Sequence, residues 1–190
     1  MKRLALSGRI GSGKSTVAEI LREEGYLDIA IADCLKRMIS SIYNVNIDYF
    51  HNQELKNIRL SSLGGMTPRE VMTFLGTDCF HKIKATTWID KTISDISDIL
   101  ELDLPVVITD VRFPHEWLAL KELGFKLIYI NRSIEDEFDF LNEVLIFLGI
   151  RKIHKSERYG AYLKGQSSYI INNVGNISDL KNQVMSLIND

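Results

Sequence analysis

The segment Gly8-Arg9-Ile10-Gly11-Ser12-Gly13-Lys14-Ser15 follows the spacing G-x-x-x-x-G-K-[ST]. Glycines at these positions let the backbone wrap a polyphosphate, so that successive N–H groups and the start of a following helix point at it. Lys14 brings a point charge to the β- and γ-phosphates, the Ser15 hydroxyl a ligand for Mg²⁺, and Thr16 a further donor near the α-phosphate. Gly8, Ile10, Gly11, Ser12 and Gly13 complete the expected polyphosphate cradle. The glycines read GxxGxG rather than GxGxxG, which speaks against a dinucleotide fingerprint.

Other charged residues are placed to work with that loop. Asp110 ends the apolar run Pro105–Thr109, where a nucleotide-binding sheet offers a carboxylate to the metal; a turn cap before Pro114 is the plainer alternative. Arg112 leaves the same strand end two residues later. Arg69 falls in the first turn of a helix, where a cation opposes the macrodipole at a small cost unless an anion sits there. Arg69 and Arg112 would together suit a second phosphate, that of an acceptor. Asp33 follows the second strand and is either a partner for the acceptor or the cap of the next helix. Arg132, with Arg151, Lys152, His154, Lys155 and Arg158, could close over phosphates or form a solvated basic loop. Cys34, Cys79, His51 and His81 lack metal-ligand spacing, and Trp88 and Trp117 suit core or pocket walls.

The elements that must position these groups alternate strand and helix. Strands are expected at 4–7, 27–32, 105–109, 125–130 and 169–171. Helices follow from Ser15, with Val17, Ile20 and Leu21 inward and Gly25 as C-cap, and then with Leu35, Met38, Ile39 and Ile42 inward. Residues 44–66 show weak local preference. Thr67-Pro68-Arg69-Glu70 is a helix start with a capping box, and Val71, Met72, Phe74 and Leu75 form its expected buried face. Further helices are expected at 88–100, 114–123, from Ser133, and at the end with Ile177, Leu180, Val184 and Leu187 inward.

The chain has 190 residues, 45% hydrophobic and 25% charged, with a net charge of -2. That is one ordinary globular core, neither disordered nor fibrous. Near-neutrality speaks against a coat for polymeric nucleic acid or an anionic membrane, which would usually carry a basic excess. Met1–Leu6 is too short an apolar start for a signal peptide, no stretch approaches the ~18 apolar residues of a membrane span, and two distant cysteines suit a reducing compartment. A cytoplasmic location is expected.

The phosphate loop, Ala32-Asp33, Thr67–Asp78 (TPREVMTFLGTD), Trp88, Thr109–Glu116 (TDVRFPHE), His154-x-Ser156-Glu157 and Asn173-x-Gly175 together resemble phage-type deoxynucleoside monophosphate kinases. The likeness runs from the first strand to the last helix, with gaps at 44–66 and 134–150. It implies a three-layer α/β/α P-loop NTPase fold: one domain over 1–190, a parallel five-stranded sheet, a helical acceptor-binding lobe at 33–104 and a lid at 132–165. It also implies phosphoryl transfer from ATP, with Mg²⁺, to a deoxynucleoside monophosphate, giving the diphosphate and ADP. By the same resemblance Asn173 and Gly175 join the ATP site. Asp33, Arg69, Arg112 and Trp88 serve the acceptor. Lys14, Arg112 and Arg132 act on the transferring group, and Arg151, Lys155 and Arg158 are the lid candidates. Ser15 and Asp110 hold the metal. A phage-encoded enzyme of this kind would work in the host cytoplasm; its oligomeric state, a homodimer included, stays open.

Two rivals remain at this stage. Dephospho-CoA kinases share an opening like residues 8–18 and an Asp after the second strand, but TPRE…LGTD and DVRFP argue against them. A non-catalytic nucleotide-binding module is the other. Here Asp110-Val111-Arg112-Phe113 and Asn131-Arg132-Ser133-Ile134 stand where a GTP switch would carry DxxG and a guanine reader.

Overall fold

The computed structural model describes residues 1–132 and 159–189. Two compact units divide the chain, one of Met1–Ile29 with Ile99–Asp190 and one of Ala30–Asp98.

The first unit is built on five parallel strands: β1 (Arg3–Ser7), β2 (Leu27–Ile29), β3 (Val106–Ile108), β4 (Lys126–Asn131) and β5 (Tyr169–Asn172), in the order β2-β3-β1-β4-β5. The fold is the expected α/β/α arrangement with a five-stranded parallel sheet. Helix α1 (Lys14–Glu23) buries Val17, Ala18, Ile20 and Leu21. With the last described helix it packs on Leu4, Leu6, Ile128 and Ile130 of the central strands. Each such side chain, fully buried, contributes about 1.5–3 kcal/mol. α1 ends as its sequence requires: Gly25 N–H reaches Arg22 O and Tyr26 N–H reaches Leu21 O, the paired bonds of a Schellman close. The strands' alternate residues turn Tyr129 to the opposite face, where the Lys164 ammonium lies 6.0 Å from its ring centroid.

The second unit, Ala30–Asp98, is helical. α2 (Asp33–Tyr43) buries Leu35 and Ile39. α3 (Asp48–His51) and single 3₁₀ turns at Leu55–Asn57 and Ser61–Leu63 give residues 44–66 a compact form around buried Phe50, Val45 and Leu63. α4 (Pro68–Thr73) starts on the predicted capping box: Glu70 N–H donates to Thr67 Oγ1 at 3.1 Å and Thr67 N–H to the Glu70 carboxylate at 2.8 Å. A π-helical turn, Phe74–Cys79, leads into α5 (Phe80–Ile83), and α6 (Thr87–Asp95) closes the unit.

Several expectations are corrected. The second strand stops at Ile29 and lies at the sheet edge, so Leu27 and Asp28 are exposed rather than buried. Ile42 (66% exposed) and Ile177 (63%) face outward. The helix expected at 88–100 is two, because Ile96 ends α6 before α7 (Ser97–Glu101). Phe74 is 51% exposed although its N–H keeps the α-helical bond to the Glu70 carbonyl, so the buried face of α4 is narrower than the periodicity suggests.

The first unit finishes with α8 (Pro114–Glu122), α9 (Gly160–Gln166) and α10 (Ile177–Asn189). α9, which the sequence reading did not anticipate, buries Leu163. No helix among the described residues is long and apolar enough to cross a membrane.

Candidate functional site

The order β3-β1-β4 puts β1 between two strands reached by connections that run in opposite directions. Loops leaving its carboxyl end and those of its neighbours therefore open a crevice, the usual ligand position in such sheets. Residues 8–13 leave β1, 109–113 leave β3, Arg132 leaves β4, and Asn173 leaves β5.

The phosphate loop is held by its own backbone and by its neighbours. Ser12 N–H bonds Arg9 O at 3.1 Å, and Val17 N–H bonds Gly13 O at 3.0 Å. Gly13 has φ +101° and lies against the Asn173 side chain, which a Cβ would strike. Gly8 has φ +148°, with the Ile130 carbonyl 2.5 Å from where a Cβ would stand. Both positions thus admit glycine and strain anything larger. The Lys14 ammonium donates to Gly8 O at 2.6 Å and Arg9 O at 2.7 Å, which sets it over the loop. The first turn of α1, Lys14 to Thr16, presents N–H groups that no helical carbonyl can reach. Ser15 is exposed and Thr16 half-buried there, while Ile10 stands 67% exposed on the outer rim.

Two late residues reach the loop. Asn173 Nδ2 donates to Ser12 O at 2.9 Å, and its own N–H to Asn131 O at 2.6 Å. Arg132 Nη1 donates to Gly11 O at 2.6 Å. Gly175 lies instead in the turn into α10, packed against the Asp179 carboxylate.

A cleft lined by Gly8, Arg9, Lys14, Val111, Arg112 and Gly160 brings Lys14 and Arg112 to one concavity. Arg112 is exposed there, Asp110 half-buried just before it. Beneath them Glu116, 6% exposed, accepts the N–H of Arg112 at 2.7 Å and of Phe113 at 2.9 Å on one oxygen. Burial pushes its carboxyl up to about 8, with the Asp110 charge adding to the rise; the two N–H bonds and Arg112 oppose it. The sequence reading missed Glu116. Its signal was the spacing, three residues after Phe113 and behind Pro114, where an N3 glutamate reaches back to a helix start.

In the second unit Asp33 Oδ2 accepts Ala30 N–H at 3.0 Å, and Oδ1 accepts Lys36 Nζ at 2.7 Å. Burial raises its carboxyl, but Lys36 and the Ala30 N–H outweigh that and hold it below the ordinary value. Trp88 is a core residue, its ring 4.8 Å from Phe80 and its Nε1–H on the Gly76 carbonyl at 3.0 Å. Trp88→Phe should therefore cost about 1–2 kcal/mol by removing this buried hydrogen bond, read as a lower urea midpoint at unchanged slope; an unshifted midpoint contradicts this.

Arg69 takes neutral partners: its Nε–H donates to Asn57 Oδ1 at 3.0 Å and Nη2 to Gln53 Oε1 at 3.2 Å. Arg3, Arg22, Arg37 and Arg59 each pair with a carboxylate. Arg69, Arg112 and Arg132 have no carboxylate within ion-pair distance among the described residues. The candidates Arg151, Lys155 and Arg158, and the helix from Ser133, lie outside the described residues.

No group of three or more His, Cys, Asp or Glu gathers as a metal cage among the described residues. A hydroxyl at Ser15 and a carboxylate at Asp110 are hard oxygen donors. They suit Mg²⁺, which binds through one or two protein oxygens together with substrate phosphates.

A glycine-rich loop between the central strand of a parallel α/β/α sheet and a helix, set at the sheet's switch point, defines a P-loop protein. The crystal structure of the Thermus thermophilus protein TT1252 shares this fold with a TM-score of 0.52 at 17% identity, over 98% of this chain and 95% of that one. The sequence profile of the deoxynucleotide monophosphate kinase family matches residues 45–142, a span that excludes the phosphate loop. A protein of Acanthamoeba polyphaga mimivirus, named "Putative deoxynucleotide monophosphate kinase", is 31% identical over 145 residues, covering 70% of this chain and 75% of that one. The chain belongs to the deoxynucleotide monophosphate kinase family.

Proposed function

We propose that the protein transfers the γ-phosphoryl group of ATP to the 5′-phosphate of a deoxynucleoside monophosphate, giving the diphosphate and ADP. The observation that carries this reading is the cleft shared by the phosphate loop and Arg112. Loop N–H groups and the start of α1 receive the donor's phosphates, and Lys14 neutralises charge at the β/γ position. Ser15 and Asp110 are the residues that would hold Mg²⁺; when bound, the ion neutralises phosphate charge. Arg112 and Arg132, whose guanidinium groups lack carboxylate partners among the described residues, stabilise the group in flight. Arg69 is assigned the acceptor's phosphate and Asp33 a place near the acceptor. The lid roles of Arg151, Lys155 and Arg158 belong to the same reading.

In this in-line step an acceptor phosphate oxygen forms a bond to the γ-phosphorus as the bond from that phosphorus to the β–γ bridging oxygen breaks. The attacking oxygen is already anionic near pH 7, so no proton need be removed. Positioning and charge neutralisation supply the rate.

The test is coupled ADP release with Mg·ATP across the four common dNMPs, the matching ribonucleotides and dephospho-CoA. Turnover with at least one dNMP, exceeding that with dephospho-CoA, is expected. ATP binding without transfer to any monophosphate overturns the reading in favour of a binding module, and preference for dephospho-CoA overturns it in favour of a hydroxyl kinase.

A further inference from the structure

Arg69 differs from Arg3, Arg22, Arg37 and Arg59 in what holds it. A guanidinium carries five N–H donors. The Nε and Nη2 contacts to Asn57 and Gln53 occupy its side edge, so the end formed by Nη1 and Nη2 remains open to accept a two-oxygen ligand. Both partners are amide oxygens. They fix direction yet leave the positive charge undivided, whereas a carboxylate in either place would neutralise it.

The bracket is itself built in advance. Asn57 Nδ2 donates to the Gln53 carbonyl at 2.9 Å, which settles that Oδ1, and not the amide nitrogen, faces Arg69. Asn52 Oδ1 accepts the N–H groups of Glu54 at 2.8 Å and Leu55 at 3.2 Å, and so organises the turn from which Asn57 projects. The neighbouring acid does not compete: Glu70 engages Thr67 and pairs with Arg59 at 3.5 Å. The one acidic group adjacent in sequence is thereby turned to a different arginine.

We propose that Asn57 and Gln53 are positioning residues for acceptor recognition, orienting the Arg69 guanidinium while preserving its full charge for the acceptor's phosphate dianion. This rests on the assignment of Arg69 to that phosphate. It gives residues 53–57, a segment without a recognisable motif, a role in substrate affinity rather than only in packing.

Asn57→Asp tests it with nearly no change in shape. Acceptor Kd, by calorimetric titration of a dNMP without ATP, and acceptor KM are both expected to rise about tenfold, with KM for ATP within twofold. Asn57→Asp also gives up the Nδ2 bond to the Gln53 carbonyl, which offsets the new ion pair, so the melting temperature is expected to move by only a few degrees; a merely structural role would lower it without moving the acceptor Kd. Asn57→Ala should raise the acceptor constants about threefold by releasing the guanidinium. In an Arg69→Ala background, Asn57→Asp should add less than 1.5-fold. Acceptor constants unchanged by Asn57→Asp while Arg69→Ala weakens them, or an effect that persists without Arg69, overturns the proposal and leaves the kinase reading standing. Unchanged acceptor binding in Arg69→Ala removes the assignment on which it rests. Absence of transfer by the unmodified protein counts against the kinase reading alone, since the binding comparison needs no turnover.

Discussion

Replacing Lys14 with alanine should lower kcat about 10³-fold while leaving the fold in place. The ammonium lies over the loop, within 2.7 Å of two of its carbonyls, and not in the core. Its removal strips a fixed positive charge from the position where charge develops during transfer, and preorganised charge in such sites is worth 10²–10³ in rate. Stability should change little, since half-exposed charges bonded to backbone contribute modestly. Lys14→Arg is expected to fail as well: a planar fork cannot take the place of a compact ammonium between the Gly8 and Arg9 carbonyls. ADP release and thermal melting, measured on the same preparations, separate the two effects. Turnover above a tenth of the unmodified protein's, in a folded variant, contradicts the role given to Lys14.

Glu116 carries the second large effect, on stability. Its carboxyl sits near 4.5 when the chain is unfolded and is raised to about 8 in the fold. Between those values the native state binds a proton that the unfolded state has released, so stability falls as pH rises. The contribution is complete below about pH 4.5 and lost through pH 8, a swing on the order of a few kcal/mol. Glu116→Gln reproduces the shape of the protonated acid, can still accept the Arg112 and Phe113 N–H groups, and should flatten that pH dependence. Glu116→Leu leaves both donors unpaired in a buried place, each at about 1–3 kcal/mol. Urea midpoints at pH 5.5 and 8.5 decide the matter. Equal slopes for the unmodified protein and Glu116→Gln would show that the charge is accommodated and the carboxyl is not the titrating group. In kinetics, Glu116→Gln should retain most turnover at pH 7, where the buried acid is already largely neutral.

Much of this architecture is legible in the chain because local signals and tertiary needs agree. The Gly8–Ser15 spacing, the 17/20/21 face of α1 and the Thr67–Glu70 box each specify their own geometry within a few residues. Disagreements arise where one level overrides another. The apolar run Leu27–Ala32 reads as a buried strand, yet three residues pair, because β2 lies at an edge and the chain turns at Ala30 toward the start of α2. Phe74 reads as inward, yet α4 buries only Pro68 and Val71 and leaves the ring half exposed. Among the charged groups, Lys14 and Arg112 are recognisable from spacing and do share a cleft. Glu116 is not, since an acid in a first helical turn has an ordinary explanation and only burial reveals its shifted proton. Gln53 and Asn57 carry no periodicity at all; their meaning comes from the fold that sets them against Arg69.

Asn173 bonds the Ser12 carbonyl across 161 positions of sequence. During synthesis the phosphate loop emerges first, but the prop that shapes it arrives only after β4 and β5 have been made. Leu180, Val184 and Leu187, which cover the same face as α1, come later still. A nascent chain therefore acquires its finished loop only once β5 and Asn173 have been made, and a truncated product stopping before residue 173 would carry every residue of the loop motif without its native support.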